Sequence, residues 1–426
     1  MHNPPCKNNV VEVIMSDSSK SPKSNIISPK GVFALVLIVI IVGLGAIGAV
    51  RYSSPIPGLA ATATQQNIDV PGQFSITFPN SGESAVGTDT FGVIASSSDQ
   101  TPIPIASVAK IMTAYIVLKE HPLKLGEEGP SLTINEQDVA DYEFGKQNNY
   151  SLIAVTLGEK ITERQLLEGL MLPSGNNAAS TLGRWIAGTD EAFVAKMNET
   201  AKALGMTSTH YADASGANEA TVSNAVDQIK IAQAAMQDPV FREIVAMPQT
   251  TLPVAGKVYN VNNMLGKHGI VGIKTGSGVN AGGCFVSATP VVDGTEKHYI
   301  IAAVLGSRKA NQNLQSALDA NAEILNQVRS QFNTYELTMP ADGFSKITAP
   351  WHAQSGLTVS EPIKVFGYPG MKVAYSITPL PVKLPAAPGT DIATLIIQAG
   401  NMSQTVTMQN TEQMNPPGFL WKLIRY

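Results

Sequence analysis

Cysteine is almost missing from this chain, with Cys6 and Cys284 the only two in 426 residues. So few thiols exclude a disulfide-stapled framework and a cysteine metal centre. Cys284 sits in the apolar stretch "GGCFVSAT", a setting that suits a buried structural thiol rather than a nucleophile. The six histidines are scattered, and no His, Cys and Asp fall at metal-ligand spacing, so a zinc-dependent peptidase is unsupported and neither a metal nor a cofactor is expected. His210, in "TSTHY", reads as a hydrogen-bonded structural histidine rather than a base. Charge is also scarce, at 15% of residues with a net charge of -4, and the lysines form no basic stripe that would suit nucleic acid. What remains is a chain that is 44% hydrophobic and long enough to bury a large core in more than one unit.

One apolar run stands apart. Residues 31–50, "GVFALVLIVIIVGLGAIGAV", carry no charge over 20 positions, the length of a membrane-crossing helix. Lys20, Lys23 and Lys30 precede it and by the positive-inside tendency hold residues 1–30 in the cytoplasm, placing the remainder outside. Cys6 and Cys284 then lie on opposite sides and form no internal disulfide. A cleaved signal is the competing reading, because "GLAATA" at 58–63 offers small residues to a peptidase, and Met15 offers a second start. Residues 51–80, rich in Ser, Thr, Pro, Gln and Gly, read as a linker.

From residue 81 to about 335, helices and strands alternate irregularly. "TERQLLEGLML" opens with a Thr162/Gln165 capping box, and "DEAFVAKMNETAKALG" is an amphipathic helix ended by Gly205. "GIVGIKTGSG", "GGCFVSATPVV" and "HYIIAAVLG" read as strands, and "NQNLQSALDANAEILNQV" as a closing helix. The class expected is α+β, an antiparallel sheet flanked by helices. Residues 340–426 change to short alternating runs and predict a small C-terminal all-β domain, whose final "PPGFLWKLIRY" reads as a packed strand end, with attachment to membrane or wall as the other reading.

Within "IPIASVAKIMTAYIVLKE", Lys110 is the only charged residue from Ala106 to Leu118, in a helix that is apolar or small on every side. An ammonium buried there must be paired or driven toward its neutral form. Ser107 lies three positions earlier, on the same face. Ser174-Gly175-Asn176 follows in "MLPSGNNAAS", and Lys274-Thr275-Gly276 sits on an apolar strand in "VGIKTGSG".

Together the S-x-x-K, S-G-N and K-T-G stretches resemble the signature of penicillin-interacting serine enzymes. The wider sequence, through "LLEGLMLPSGNNAA", "MNETAKALGMTSTHY", "DPVFREIV" and "YNVNNMLGKHGIVGIKTG", resembles the serine-type D-alanyl-D-alanine carboxypeptidases, the low-molecular-mass penicillin-binding proteins. One departure is "ADASGANEAT", which lacks the Gly-Leu-Pro-like stretch expected after the Thr-His pair. The resemblance implies the penicillin-binding protein/β-lactamase-like transpeptidase fold, a peptidoglycan stem peptide ending in D-Ala-D-Ala as substrate, and β-lactams as inhibitors. It also implies a nucleophile, Ser107, whose proton a desolvated Lys110 removes. Ser174 would relay a proton to the leaving amine, and Asn176 would hold Lys110 and the substrate amide. Lys274 and Thr275 would bind the terminal carboxylate, and the N–H groups of Ser107 and Ser277, directly after Gly276, would form an oxyanion hole. No Glu-x-x-Leu-Asn stretch lies between Ser174 and Lys274, which argues against a β-lactamase. A DD-endopeptidase and a non-catalytic wall-binding protein of the same fold also compete with the carboxypeptidase.

Overall fold

The computed structural model describes residues 28–63, 67–337 and 345–425. Cys6, Met15, Lys20 and Lys23, and with them nearly all of the segment expected in the cytoplasm, lie outside the described residues. Two compact units emerge: Leu59–Thr348 with Gln354–Met414, and residues 28–58 with 349–353 and 415–425.

At the centre of the larger unit is a five-stranded antiparallel sheet in the order Gly272–Gly278, Gly282–Asp293, Glu296–Ser307, Glu83–Thr88, Gly92–Ser96. Period-two alternation divides its side chains between two cores. Ala85, Cys284, Val286, Ile301, Ala303 and Leu305 join the core that includes the helices Lys110–Glu120 and Ala225–Ala235. Val86, Phe285, Ile300, Ala302 and Val304 face the helix Asn313–Val328 instead. The inner strands Gly282–Asp293 and Glu296–Ser307 are therefore buried on two faces over most of their length, which explains their long apolar runs. The expected capping box is present, with Thr162 and Gln165 bonding each other's backbone ahead of the helix Glu163–Met171.

Three sequence expectations change. The helix expected from Ala106 opens as a 3₁₀ turn, Ala106–Ala109, and becomes α-helical only at Lys110–Glu120. Ala106 has a φ of 47°, a left-handed entry that forces the tight first turn. The stretch read as a linker carries strands Ala60–Ala63 and Asn67–Asp69, which form the two edges of a seven-stranded sheet. Between them and the first central strand, Phe74, Ile76 and Phe78 pack against the core facing Asn313–Val328. The last residues form a helix, Phe419–Ile424, not a strand end. The rest of the seven-stranded sheet comes from the C-terminal third, with Ser345–Thr348, Gln354–Val359, Met402–Asn410, Asp391–Ala399 and Lys372–Pro379 running in that order between the two edges.

In the smaller unit, Pro29–Ser53 is one unbroken helix, capped by Ser28 and with no buried residue. Its most apolar 18-residue window has a mean hydropathy of 3.0, and it is long and apolar enough to cross a membrane.

Candidate active site

In a 3₁₀ turn, residues i and i+3 eclipse one another, and the short turn ahead of Lys110–Glu120 puts this geometry to use. Lys110 Nζ and Ser107 Oγ are 2.8 Å apart. Lys110 is wholly buried, yet its amine is not isolated: Nζ also donates to Asn176 Oδ1 at 2.7 Å and to the Ser215 carbonyl at 2.9 Å. Two of these three partners are pure acceptors, and only the hydroxyl can donate. A neutral amine has two N–H groups and one lone pair, so the arrangement leaves the lone pair to Ser107. Burial first, and the neighbouring Lys274 second, hold the Lys110 pKa well below its ordinary value, with Asp213 opposing them.

Asn176 begins the helix Asn176–Ala187, whose start therefore lies against Lys110. Two residues earlier Ser174 has a φ of 68°, and its buried Oγ makes no hydrogen bond within the described chain. A buried hydroxyl left unpaired costs free energy, and a strained backbone holds it there.

Lys274, Thr275, Gly276 and Ser277 lie on the edge strand Gly272–Gly278, paired on one side only, to Gly282–Asp293. The unpaired side meets the turn Ala106–Ala109 that carries Ser107. A Cβ on Gly276 would stand 3.0 Å from the Ile105 carbonyl and 3.1 Å from the backbone nitrogens of Ser107 and Val108. A side chain at this position would push the strand and the turn apart by a few tenths of an ångström. Lys274 is buried too, but among the described residues its Nζ bonds only to the Thr275 carbonyl, at 3.2 Å. Burial lowers its pKa to about 7. Thr275 is buried beside it, and Ser277 is exposed at the end of the strand.

The structure adds a third wall that sequence reading missed, in the stretch where the family resemblance is weakest. The Asp213 carboxylate accepts from the backbone N–H groups of Ser215, Gly216 and Ala217 and from the hydroxyls of Ser215 and Thr221. This carboxylate-centred turn aims the Ser215 carbonyl at Lys110, and Thr113 Oγ1 ties it to the helix Lys110–Glu120 by donating to the Ala214 carbonyl at 2.6 Å. Gly216, at φ 79°, packs so close to the Ala106 carbonyl that a Cβ would fall 1.8 Å from it. The Asp-x-Ser-Gly order is an Asx-turn signal that could have found this loop. A cleft of about 400 Å³ opens beside Asn176 and Ser215, walled by Phe144, Tyr150, Leu152 and Asn218.

His210 is exposed and pairs with Val222 through its backbone; it is not among the groups that reach Lys110. Cys284 is buried, and burial pushes its thiol up to about 12, so it is unreactive.

Comparison with known proteins identifies the family. The D-alanyl-D-alanine carboxypeptidase family model matches residues 81–309. A D-alanyl-D-alanine carboxypeptidase of Mycobacterium tuberculosis is 36% identical over 207 residues, covering 47% of this chain and 67% of the relative. A D-alanyl-D-alanine endopeptidase of Pseudomonas aeruginosa is 32% identical over 217 residues, covering 49% and 67%. The crystal structure of the Streptomyces K15 DD-transpeptidase superposes with a TM-score of 0.51 at 29% identity, covering 60% of this chain and all of that one. The chain belongs to the D-alanyl-D-alanine carboxypeptidase family of serine peptidases.

Proposed function

We propose that Ser107 is the acylated nucleophile and Lys110 its base, with the three-partner setting of Lys110 Nζ as the observation that carries the assignment. Ser107 Oγ attacks the carbonyl of the penultimate D-alanine while its proton passes to Lys110 Nζ. Charge developing on the carbonyl oxygen is met by the N–H groups of Ser107 and Ser277. The C–N bond then breaks, the leaving amine takes a proton that Ser174 Oγ relays from Lys110, and D-alanine departs. Water then attacks the ester while its proton passes to Lys110; the bond to Ser107 Oγ breaks, Oγ recovers that proton from Lys110, and the shortened peptide leaves as a free acid. Lys274 and Thr275 hold the free carboxylate of the terminal residue, and Asn176 keeps Lys110 and the substrate amide in register. An arriving carboxylate favours the charged form of Lys274, whose pKa of about 7 leaves it able to respond. Covalent labelling by a fluorescent penicillin and D-alanine release test the scheme together: both vanish in Ser107→Ala if it is right, and residual labelling contradicts it.

A carboxypeptidase meets a free carboxylate one residue beyond the scissile bond, whereas an endopeptidase meets a continuing chain. The buried pairing of Lys274 with Thr275, beside the nucleophile turn, favours a terminal carboxylate and thus the carboxypeptidase. The N-terminal helix is read as a retained anchor with the catalytic unit outside the membrane. "GLAATA", the stretch a signal peptidase would cut, contributes the strand Ala60–Ala63, which pairs with Ser345–Thr348, and this supports retention over cleavage. Intact mass of the protein from membranes tests it.

A further inference from the structure

We propose that the C-terminal residues 415–425, with the loop 349–353, fold against the end of the N-terminal helix and seat in the lipid interface of the membrane it crosses, so that both ends of the chain form one collar at the membrane surface. The inference rests on the reading of that helix as a retained anchor.

Segments some three hundred residues apart in sequence make up this unit. The Phe419 ring lies 5.7 Å from that of Tyr52, Lys422 Nζ is 5.2 Å from the Tyr52 ring centre, and Leu423 Cδ2 stands 3.3 Å from where a Gly48 Cβ would be. The Arg425 guanidinium donates to the carbonyls of Arg51, Ser54 and Pro55. These lie at or just past the end of a helix whose last carbonyls have no intrahelical partner, where positive charge is also favoured by the helix dipole. On the other side, Trp421 meets Trp351 edge to face at 5.6 Å, and Trp351 Nε1 donates to the Asn415 carbonyl. A six-residue helix has little stability of its own, so these contacts hold it.

What it presents outward is apolar. Phe419, Leu420 and Ile424 are 66%, 72% and 64% exposed, beside an N-terminal helix that is itself exposed and apolar all round. Tyr52, Trp351 and Trp421 gather at the end of that helix, the depth at which aromatic rings with one polar atom settle between hydrocarbon and water. Continuity with the apolar surface of the membrane-length helix selects lipid as the occupant of this face.

The test uses the full chain in phosphatidylcholine–phosphatidylglycerol vesicles and quenches tryptophan emission with lipids brominated either near the headgroup or near the chain end. Trp185, in the catalytic unit and stacked on His121, is the internal control. The collar predicts strong quenching by the shallow bromines, weak quenching by the deep ones, and loss of most of the shallow signal in Trp351→Phe/Trp421→Phe. Emission that no bromolipid reaches overturns it. A Gly48→Cys/Leu423→Cys pair in a Cys6→Ser background, bridged by a short bis-maleimide, tests the packing. An internal cross-link supports the collar, no cross-link overturns it, and a dimer-sized product overturns it in favour of a second copy on the same face. Intact mass is read first. A chain that has lost its N-terminal helix refutes the anchor reading and the collar with it, whereas an intact chain without quenching refutes the collar alone.

Discussion

Two buried lysines face one another across this active site, and they are solvated differently by the protein. Among the described residues Lys110 has three polar partners and Lys274 a single backbone carbonyl. Both lose charge through burial, but Lys110 also feels Lys274 on one side and Asp213 on the other. The fully coordinated lysine is suited to exchange a proton with one fixed hydroxyl. The under-coordinated one keeps capacity for an anion that arrives with the substrate. Under the proposed assignment, one residue type serves two tasks according to how many acceptors the fold supplies.

The largest effects should come from breaking the Lys110 side. Lys110→Ala should slow acylation by about 10²- to 10⁴-fold, the usual worth of general-base assistance, measured as the second-order rate constant for penicillin labelling. Near-normal labelling would require another base. Next come the two groups that set the Lys110 charge from opposite directions. Lys274→Gln removes a positive neighbour, so the Lys110 pKa should rise and the acid limb of the acylation profile should move to higher pH. Asp213→Asn removes a negative neighbour and should move the limb lower, with a rate loss of about 10- to 150-fold where the Ser215 carbonyl loses its aim, the range expected for hydrogen bonds to a charged group. Shifts of the same sign in both variants would contradict the electrostatic account.

A smaller effect is expected at Thr275. The wild type should prefer a free-acid substrate over its C-terminal amide by about 10- to 150-fold in kcat/KM. Thr275→Val should shrink that preference while leaving acylation in place. Equal rates on acid and amide in the wild type would favour the endopeptidase.

The smallest effect lies away from the chemistry. Glu163 is buried at the start of the helix Glu163–Met171, and burial, helped by Glu127, raises its carboxyl to about 7. Its unfolded value is near 4.5, so the folded chain holds a proton that the unfolded chain releases. That contribution to stability is complete below the unfolded value and is lost as pH rises through about 7. The melting temperature of Glu163→Gln should therefore fall less than that of the wild type between about pH 5 and 8. Parallel curves would contradict the assignment.

Much of this site was legible in the sequence because its groups are side chains of distinctive type at fixed local spacing. Ser107 and Lys110 are three apart, and a lone lysine in an apolar helix announces an unusual environment. The Ser215 carbonyl was not legible, since any residue supplies a carbonyl and only the fold says where it points. The central strands were read from unbroken apolar runs that two-sided burial demands. The short edge strands were hidden for the converse reason: Ala60–Ala63 is made of small residues and Asn67–Asp69 has only Ile68 to bury, so backbone pairing does most to order them. The C-terminal helix reads ambiguously because its partner, the N-terminal helix, lies at the other end of the chain.

The pH dependence of Ser107 acylation in the wild type tests the account most directly. A neutral Lys110 predicts that the rate constant rises through a pKa far below 10.5, the ordinary lysine value, and reaches its plateau well before that pH. A rate that climbs only as pH approaches 10.5 would mean that Lys110 is an ordinary ammonium, and would contradict its role as the base.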